Sequence, residues 1–531
     1  MKRIVLVLLF CFPSIVSAKL TYDDVILHFH GQDTLAKAGV RLGTIGDINS
    51  DGFDDIFVTV ISPQEGSWVF YGGDPVDTLP DIWIPRVRRL KAIDVTGDGV
   101  DDLVGNFLEN PYPPWLGRLR FYKGFGDSIG TVPFDSIVPE TEQFGDYQVN
   151  WGFAFNFDVA YVDNDNLGDL IAVKREVLDG PTIHYYSGAP TLDTVCDWSY
   201  KSPAWFIVDD CGFIDYNGDS ELDIFVGMRS GRQDTASYVY IFNGPDFGDT
   251  PDYVIGQPID IIHNQPRDFA SIVKNVGDLN SDGVEDLGVV DYSYPIVYYS
   301  GPNADTLYDI YISSSGFQIS AAGDVNADGC SDLLVGDGQT AYGICGVYLG
   351  GPRLDSVMDD YLQRYDLPPL FIDKIGYRLA PAGDFNGDGI DDFMFSSQNF
   401  SSGEPGDVWV VKGSGDIVVP VEEDPPKKLP SNPILEQNYP NPFNPSTTIE
   451  FELPIGQKVR LEVFNVLGQK VETLVDQFMS AGVHKVVWDI SDSPNYRSSD
   501  LLGAGTIPTG VYLYRLKGEG IDETKKMVLV K

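Results

Sequence analysis

The chain has 531 residues, 43% of them hydrophobic, which is enough for more than one globular domain. Its formal net charge of −43 argues against nucleic acid as a partner, because phosphate binding requires a basic face. The same charge disfavours an anionic membrane surface as a partner. No segment after the first 18 residues looks transmembrane, so no membrane insertion is expected.

The first 18 residues are typical of a secretory signal peptide. Lys2 and Arg3 supply the charged start, residues 4–12 form an apolar stretch, and residues 16–18 (Val-Ser-Ala) provide a cleavage site. The apolar stretch is too short to span a bilayer. The sequence therefore predicts an exported protein with residues 1–18 as its signal peptide.

Seven short acidic loops of one design follow the signal peptide. Most fit the pattern D-x-[DN]-x-D-G-x-x-D, and an apolar residue that opens a short strand follows each one. They contain 26 of the 79 acidic residues, so a third of the negative charge is concentrated in them. In chain order, loops 1 to 7 are residues 47–55, 94–102, 161–169, 215–223, 278–286, 324–332 and 384–392.

The loop pattern supplies the oxygens that Ca²⁺ prefers, about six to eight from carboxylates, amides and backbone carbonyls. Positions 1, 3, 5 and 9 offer side-chain oxygens, position 7 offers a carbonyl, and glycine at position 6 permits a positive φ. Loop 3 has Tyr161 at position 1, so we expect it to bind most weakly. The predicted ligands are Asp47, Asn49, Asp51, Phe53, Asp55, Asp94, Thr96, Asp98, Val100, Asp102, Asp163, Asp165, Leu167, Asp169, Asp215, Asn217, Asp219, Glu221, Asp223, Asp278, Asn280, Asp282, Val284, Asp286, Asp324, Asn326, Asp328, Cys330, Asp332, Asp384, Asn386, Asp388, Ile390 and Asp392.

Two alternatives compete with a calcium loop of this kind. An EF-hand would need a glutamate at position 12 and flanking helices, but position 12 falls in an apolar strand, as at Val58 and Val335. A turn rich in Asp and Asn without a metal is the alternative for any single loop, above all for loop 3. Seven copies favour the metal for the set.

A second repeated element indicates a four-stranded structural unit. A β-branched and aromatic strand that ends at a glycine turn follows the loops, as in residues 68–75, 183–190 and 347–352. The loops recur every 46–67 residues, which is typical of propeller blades. Residues 19–413 are therefore predicted to form a seven-bladed β-propeller. Pairing of residues 21–31 with the last blade would close the ring and remove free sheet edges.

The sequence changes character after residue 413. Residues 414–433 are rich in proline and charge, which indicates an interdomain linker. Residues 434–531 contain alternating apolar and polar runs, which predict an immunoglobulin-like β-sandwich of about seven strands. The predicted fold class is therefore all-β, a seven-bladed propeller followed by a sandwich.

Four cysteines follow the signal peptide, and export permits disulfides. Of the three possible pairings, the sequence favours Cys196–Cys211 with Cys330–Cys345, because each pair is 15 residues apart. Four buried free thiols are the alternative.

At the loops, the chain resembles the FG-GAP repeats of integrin α-subunit propellers and of bacterial surface proteins. Residues 375–393 (IGYRLAPAGDFNGDGIDDF) carry the whole motif, and the resemblance covers roughly residues 19–413. It implies up to seven Ca²⁺ ions at the blade rims and ligand binding on one propeller face. Relatives include adhesins, lectins and a few lyases, so the resemblance does not identify the ligand.

The C-terminal part resembles the sorting domain of type IX secretion substrates. The matching segments are residues 434–454 (ILEQNYPNPFNPSTTIEFELP), 465–471, 510–516 and 525–531, and an insertion at 491–510 departs from the pattern. The resemblance implies recognition by the type IX machinery and export across a Gram-negative outer membrane, followed by release or surface anchoring. An accessory sandwich without a sorting role is the alternative.

The sequence offers little sign of catalysis. Its five histidines form no HExxH motif, and it has no phosphate-binding glycine loop. His28 and His30 share one face of a strand, where blade-edge packing explains them. The expected function is a secreted or cell-surface, calcium-binding module for carbohydrate or protein ligands, and not an enzyme. A polysaccharide lyase or hydrolase built from separate blades and a structural surface-layer component are the alternatives.

Overall fold

The structure is a computed structural model. It describes residues 20–530 except 32–37, 62–63, 109–116, 139–141, 145–146, 150–152, 164, 175–179, 190–194, 204, 232–235, 259–268, 313–315, 339–342, 353, 364–366, 368–373, 398–405, 418–432, 454–456, 480–481, 490–507 and 519. The predicted signal peptide and most of the predicted linker and of the insertion at 491–510 lie outside the described residues. The chain divides into two compact units, Met1–Pro420 and Val421–Lys531.

The first unit is built from antiparallel sheets of consecutive strands. A 3₁₀ turn at Tyr22–Asp24 leads into β1 (Val25–His30), and the described residues then form seven four-stranded sheets and one separate hairpin. From the first strand of each sheet outward, the strands are β2 (Ala38–Gly46), β3 (Asp55–Val60), β4 (Gly66–Phe70) and β5 (Ile82–Pro85) in sheet 1; β6 (Val87–Ile93), β7 (Asp102–Leu108), β8 (Gly117–Tyr122) and β9 (Asp135–Ile137) in sheet 2; the hairpin β10 (Glu142–Phe144) and β11 (Tyr147–Val149); β12 (Phe157–Ala160), β13 (Asp169–Lys174), β14 (Thr182–Tyr186) and β15 (Trp198–Lys201) in sheet 3; β16 (Phe206–Ile214), β17 (Asp223–Ser230), β18 (Tyr238–Phe242) and β19 (Tyr253–Gly256) in sheet 4; β20 (Phe269–Asn275), β21 (Leu287–Asp291), β22 (Tyr294–Tyr298) and β23 (Ile310–Tyr311) in sheet 5; β24 (Gln318–Gly323), β25 (Asp332–Gly336), β26 (Ile344–Tyr348) and β27 (Asp360–Gln363) in sheet 6; and β28 (Ile375–Gly383), β29 (Asp392–Ser397), β30 (Asp407–Val411) and β1 in sheet 7.

The first strands of the sheets close into a ring. They contact one another in the order β2, β6, β12, β16, β20, β24 and β28, and β28 contacts β2 again. β1 pairs with β30 as the outer strand of sheet 7, which confirms the predicted pairing of residues 21–31 with the last blade. The fold is therefore a β-propeller, which confirms the predicted fold class, and its sheets in the described part of the chain equal the predicted blades in number.

The ring closure is reinforced by a cluster of polar side chains. His28 and His30 lie on one face of β1, as expected from their spacing. His28 Nε2 is 2.9 Å and His30 Nδ1 is 2.6 Å from Asp407 Oδ1 on β30. The His28 ring also stacks on Trp409, with the ring centroids 5.1 Å apart.

Apolar side chains fill the spaces between neighbouring sheets. Ile56 and Val58 of sheet 1, for example, share one cluster with Met394 and Val410 of sheet 7. Because both faces of a blade pack against neighbours, a second strand such as β29 is buried along its whole length. These strands therefore have continuous apolar sequences instead of alternating ones.

An aspartate that the sequence analysis missed fixes the outer hairpin in five sheets. Its Oδ2 accepts a backbone N–H from the end of the third strand, at 2.7–2.9 Å. The donor and acceptor pairs are Tyr71 with Asp81, Ser187 with Asp197, Asn243 with Asp252, Tyr299 with Asp309, and Leu349 with Asp359. The sequence signal is the recurring D-[TS]-x-x-D segment before the outer strand, as at 305–309 and 355–359.

Both predicted disulfides are wrong, because all four described cysteines are free. Cys345 pairs with Gly336 across β25 and β26, and Gly336 is six residues beyond Cys330, so these two cysteines lie at opposite ends of the sheet. Cys196 and Cys211 belong to different apolar clusters, on either side of sheet 3. A disulfide would require Cα atoms within about 7 Å.

The second unit consists of two antiparallel sheets. One contains β31 (Ile434–Leu435), β32 (Ser446–Leu453) and β35 (Gly482–Asp489), and the other contains β33 (Gln457–Asn465), β34 (Lys470–Met479), β36 (Gly510–Gly518) and β37 (Ile521–Leu529). Side chains of both sheets, including Phe451, Leu461 and Trp488, share one buried cluster. This is a two-layer sandwich, and its immunoglobulin-like character stays a prediction.

Candidate metal sites at the propeller loops

Each acidic loop joins the first strand of a sheet to the second. Loop 1 links β2 to β3 and loop 5 links β20 to β21, and the other five have the same place in their sheets. Because the first strands surround the ring axis in the same orientation, all seven loops lie on one face of the propeller. The repeated sequence therefore produces a repeated surface.

Within a regular loop, the side chains at positions 1, 3 and 5 converge on the backbone of the turn. In loop 5, Asp278 Oδ1 accepts the N–H of Asp282 (3.1 Å) and Oδ2 accepts that of Gly283 (2.8 Å). Asn280 Oδ1 accepts the N–H of Asp282 at 2.8 Å. Asp282 Oδ1 accepts that of Val284 at 3.0 Å. Loops 1 and 6 repeat this arrangement, which gathers side-chain oxygens around one point.

Position 6 has a positive φ in all seven loops, as the sequence analysis predicted. The glycines lie between +79° and +94°, and a Cβ added to any of them, such as Gly329, would meet no atom within 4 Å. Asn166 adopts +65° and Ser220 adopts +71° in loops 3 and 4. Glycine is therefore preferred here for its backbone conformation and not because space is short.

The aspartate at position 9 ties each loop to the rest of its sheet. In loop 5, the fully buried Asp286 accepts the N–H of Leu279 on Oδ2 (2.9 Å) and that of Ser300 on Oδ1 (3.0 Å). Ser300 follows the third strand. The equivalent position-9 residues, also buried, are Asp55, Asp102, Asp169, Asp223, Asp332 and Asp392, and their partners after the third strand are Gly72, Gly124, Gly188, Gly244, Gly350 and Gly413.

These buried carboxylates are poorly suited to carry a charge on their own. Burial raises the pKa of Asp286, Asp332 and Asp392 to about 8, from an ordinary value of 3.8, and the other acids of each loop act in the same direction. For the same reason the pKa of Asp55 is about 7. A nearby cation would offset this cost.

The glycine after the third strand is required by close packing on the loop. A Cβ on Gly350 would lie 2.0 Å from the carbonyl oxygen of Ser331, and one on Gly244 would lie 2.0 Å from that of Leu222. In the six sheets that have a glycine at this position, the missing side chain lets the strand end approach the loop so that its N–H reaches the position-9 carboxylate. In sheet 5, Ser300 donates in its place. The loop and the glycine strand end seen in the sequence are thus two parts of one structural unit.

The loops also connect neighbouring sheets. The N–H of Ser331 in loop 6 donates to the carbonyl of Asp278 in loop 5 (3.0 Å), and that of Gly351 donates to the carbonyl of Leu279 (2.7 Å). At the ring closure, the N–H of Asp54 in loop 1 donates to the carbonyl of Asp384 in loop 7 (3.3 Å). Backbone hydrogen bonds therefore tie these loops to the adjacent blade.

Loop 2 contains its own cation. Lys123 Nζ donates to Thr96 Oγ1 at 2.6 Å and contacts the carboxylate of Asp98, so the ammonium group lies among the predicted metal ligands. The hydrogen bond from Lys123 lowers the pKa of Asp98. Sequence analysis missed this residue because it belongs to the end of the third strand, 21 residues after the last loop position.

Loop 3 departs from the pattern in a different way. Tyr161 Oη accepts the N–H of Asp94 in loop 2 at 3.2 Å, so this side chain turns toward the neighbouring loop. Ser187 Oγ donates to Asp163 Oδ2 at 2.9 Å. Loop 3 therefore lacks the position-1 carboxylate and uses one remaining carboxylate in a contact with its own sheet.

Five loops have aspartate at positions 1, 5 and 9 and asparagine at position 3, namely loops 1, 4, 5, 6 and 7. In loop 7, Asp384 Oδ1 is buried without a hydrogen-bond partner among the described residues. An unpaired buried carboxylate oxygen is uncommon unless an ion or water satisfies it. Donor sets made only of oxygens suit a hard cation such as Ca²⁺, so the residues present fit the predicted metal.

One sequence segment matches a catalytic pattern in its letters alone. Residues 126–130 (GDSIG) fit G-x-S-x-G, the pattern of the nucleophile elbow, which requires a turn from a strand into a helix. They lie between β8 and β9, with no helix following in this described stretch, and the exposed Ser128 Oγ donates to Asp127 Oδ1 (3.0 Å). The segment is a hairpin turn and not an elbow.

In the second unit, the segments of the predicted sorting signature pack together. The buried Asn438 donates from Nδ2 to Thr447 Oγ1 (2.9 Å), and its N–H donates to Tyr514 Oη on β36 (2.8 Å). Asn441 Oδ1 accepts the N–H of Val528 on β37 at 2.9 Å. The proline-rich start of the signature and its C-terminal strands therefore form one structural unit.

Comparison with known families identifies this unit. Residues 437–495 match the secretion system C-terminal sorting domain. The chain therefore carries a sorting domain of type IX secretion, which confirms that it is exported to the cell surface or released, and that it interacts with the type IX machinery.

The other comparisons concern the whole chain. A solved structure described as "Structure of Dos1 propeller" is similar to it with 10% sequence identity and a TM-score of 0.39, over 71% of this chain and 78% of that chain. At this TM-score the likeness carries no argument about this protein. No curated protein matches the chain significantly. Within the described residues, no helix has the length and apolar character needed to cross a membrane.

Proposed function

We propose that this exported β-propeller is a calcium-binding module that binds a carbohydrate or protein ligand at the cell surface or outside the cell. The observation that carries the proposal is the set of buried position-9 carboxylates, repeated in every loop and surrounded by further acids. A bound cation is the simplest compensation for such a group.

The loops differ in how well they would hold the ion. Loops 1, 4, 5, 6 and 7 would bind through the oxygens at positions 1, 3, 5 and 9 with the carbonyl at position 7. Loop 2 would bind weakly because the ammonium group of Lys123 lies among its ligands. Loop 3 would bind weakly because Tyr161 replaces the first carboxylate. We therefore expect about five tightly bound ions per chain.

Calcium would act on the scaffold and not on a reaction. By drawing together the first strand, the third-strand end and the neighbouring loop, each ion would stiffen one face of the ring and fix the relative positions of the blades. A rigid face costs less conformational entropy when it binds a ligand. Export by the sorting domain places that face where glycans and surface proteins are available as ligands.

The test uses the mature full chain, stripped of metal with a chelator and then desalted. Isothermal titration with Ca²⁺, and with Mg²⁺ for comparison, combined with elemental analysis, should give about five tight calcium sites. Binding to a broad glycan array and to surface-protein extracts should then require calcium. A chain that takes up no Ca²⁺ would exclude the metal assignment, and cleavage of an array glycan would replace the binding module with a polysaccharide-degrading enzyme.

A further inference from the structure

The axis of the propeller contains a cavity of about 630 Å³. Residues from all seven first strands line it, so it is enclosed by the ring. Aromatic and aliphatic side chains make up much of the wall, including Phe57, Phe157 and Phe225. Small-molecule sites have this size and this mixture of apolar wall and a few polar groups.

The carboxylates of the cavity wall are all occupied within the protein. Among the described lining residues these carboxylates come from sheets 3 and 4, and each is bound by a basic side chain. The pairs are Asp158 with Lys91 (2.8 Å), Asp209 with Arg229 (2.6 Å) and Asp210 with Lys274 (2.9 Å).

Three arginines of the wall have no such partner. Arg378 on β28, Arg41 on β2 and Arg89 on β6 come from the consecutive sheets 7, 1 and 2, and we call them the arginine arc. In the part of the chain that the structure describes, none of them forms an ion pair with a carboxylate. Arg378 Nε donates to the carbonyl of Val40 at 3.2 Å, and Arg41 Nη1 donates to the same carbonyl at 3.4 Å. Most of their N–H donors are therefore left for a ligand.

The arginine arc is electrostatically unfavourable without a ligand. Burial, together with the charges of Arg378 and Arg89, lowers the pKa of Arg41 to about 9, and burial also lowers that of Arg378. Asp210 acts on both through space but is already bound by Lys274. A chain with 36 basic and 79 acidic residues thus gathers three uncompensated arginines at its axis. Arrangements that cost stability in this way are typical of binding sites.

We propose that the arginine arc binds the carboxylate or sulfate group of a small acidic ligand with the size of one or two sugar rings. The planar guanidinium group offers paired donors that match such oxyanions. Arg378 lies over the ring of Tyr377, with Cζ 4.6 Å from the centroid, so its orientation is fixed before binding. A long polyanion is disfavoured because the chain's net charge of −43 would repel it. This inference rests on the proposed function and names its ligand class and site.

The experiment is isothermal titration of the mature full chain in saturating Ca²⁺. The probes are galacturonic acid and its dimer, glucosamine 6-sulfate, inorganic sulfate and, as the neutral control, glucose. We expect the acidic sugars to bind at least about tenfold more tightly than glucose, and binding to weaken in about 0.5 M salt. Comparison of galacturonic acid with glucosamine 6-sulfate shows whether the site prefers a carboxylate or a sulfate group. Comparison of glucosamine 6-sulfate with inorganic sulfate shows whether the sugar ring contributes to binding.

The variants are Arg41→Gln and Arg89→Gln, each of which removes one charge from the arc. Each should weaken binding of the acidic sugar by about tenfold. Arg88→Gln is the matched control, because Arg88 is the neighbour of Arg89 on β6 but binds Glu65 instead of lining the cavity. In the ligand-free protein the arc variants should melt at the same or a higher temperature, because repulsion is relieved.

Three results would overturn the inference. They are equal binding of glucose and the acidic sugars, unchanged affinity in both arc variants, and a marked loss of thermal stability in both, which would indicate a structural role. Calcium-dependent binding of array glycans that survives Arg41→Gln and Arg89→Gln would leave the proposed function intact and place its ligand elsewhere. If the unmodified chain binds no Ca²⁺, the proposed function is rejected instead.

Discussion

Loops 5 and 2 share one sequence pattern but balance their charge in opposite ways. In loop 5, burial raises the pKa of Asp286 to about 8, and the charges of Asp282 and Asp278 act in the same direction. In loop 2, Lys123 reaches Thr96 Oγ1 and Asp98 from the third strand and supplies a positive charge inside the loop. Under the proposed function, an acidic loop of this pattern would bind Ca²⁺ only where the fold does not already provide a cation.

The largest effect is expected from removal of divalent cations, which tests this comparison between loops. The metal-free chain should melt about 10 °C or more below the chain in excess Ca²⁺, because five loops lose their compensating charge and the loops connect adjacent sheets. Differential scanning calorimetry measures the change, and re-addition of Ca²⁺ should restore the original transition. Equal melting temperatures with and without Ca²⁺ would mean that loop 5, like loop 2, needs no bound metal ion to compensate its negative charge.

The pH dependence should separate the metal-free and calcium-bound forms. In the metal-free chain, the folded pKa values of Asp286, Asp332 and Asp392 lie near 8, above the ordinary 3.8. Stability from protonation of these groups is present below about pH 4 and is lost as pH rises through 8. The metal-free protein should therefore be less stable at about pH 8.5 than at about pH 5.

Bound Ca²⁺ should reverse this trend, because the ion requires ionised carboxylates and protons compete with it. The difference in melting temperature between the two forms should be greatest near about pH 8.5 and should shrink toward about pH 5. Melting curves of desalted metal-free protein, measured in a series of buffers at constant ionic strength, provide the data. A difference that does not vary with pH would show that the position-9 aspartates stay ionised without the metal.

Replacement of Lys123 should turn loop 2 into a calcium-binding loop like loop 5. Lys123→Met removes the ammonium group but keeps an unbranched apolar side chain of similar length. We expect one additional calcium ion per chain, and a melting temperature a few degrees lower without Ca²⁺ but restored with it. Elemental analysis and calorimetry measure both quantities.

Lys412→Met is the matched control for this variant. Lys412 has the same place before the third-strand glycine of sheet 7, but its Nζ lies 3.9 Å from Asp24 and not in the ligand set of loop 7. The control should leave the calcium stoichiometry unchanged. An unchanged stoichiometry in Lys123→Met as well would mean that loop 2 lacks a metal for another reason.

The predictable features of this molecule are those encoded within a few neighbouring residues. The positive φ at position 6, as at Gly283, follows from a local turn pattern. The pairing of β1 with β30 followed from the need to close a ring, a rule that holds for propellers in general. In both cases a short segment or a topological rule was sufficient.

Features that depend on contacts between strands could not be predicted in this way. Lys123 reaches loop 2 only because β8 lies beside β7, and the cysteine pairs fail because equal spacing along the chain does not put their Cα atoms close together. The arginine arc joins residues separated by up to 337 positions, and only the closure of the ring brings sheet 7 beside sheet 1. No local pattern in the sequence marks any of these contacts.

The smallest expected effect concerns loop 3, where Tyr161 points toward loop 2. Tyr161→Phe removes only the hydroxyl that accepts the N–H of Asp94, at a half-exposed site where water can replace it. The expected loss is less than about 1 kcal/mol, or about 1–2 °C in a chain of this size, with or without Ca²⁺. Tyr22→Phe, at another exposed tyrosine, is the control. Equal losses in both forms would show that loop 3 contributes to the contact between sheets 2 and 3 independently of any metal, whereas a loss confined to the calcium-bound form would mean that loop 3 binds an ion despite lacking its first carboxylate.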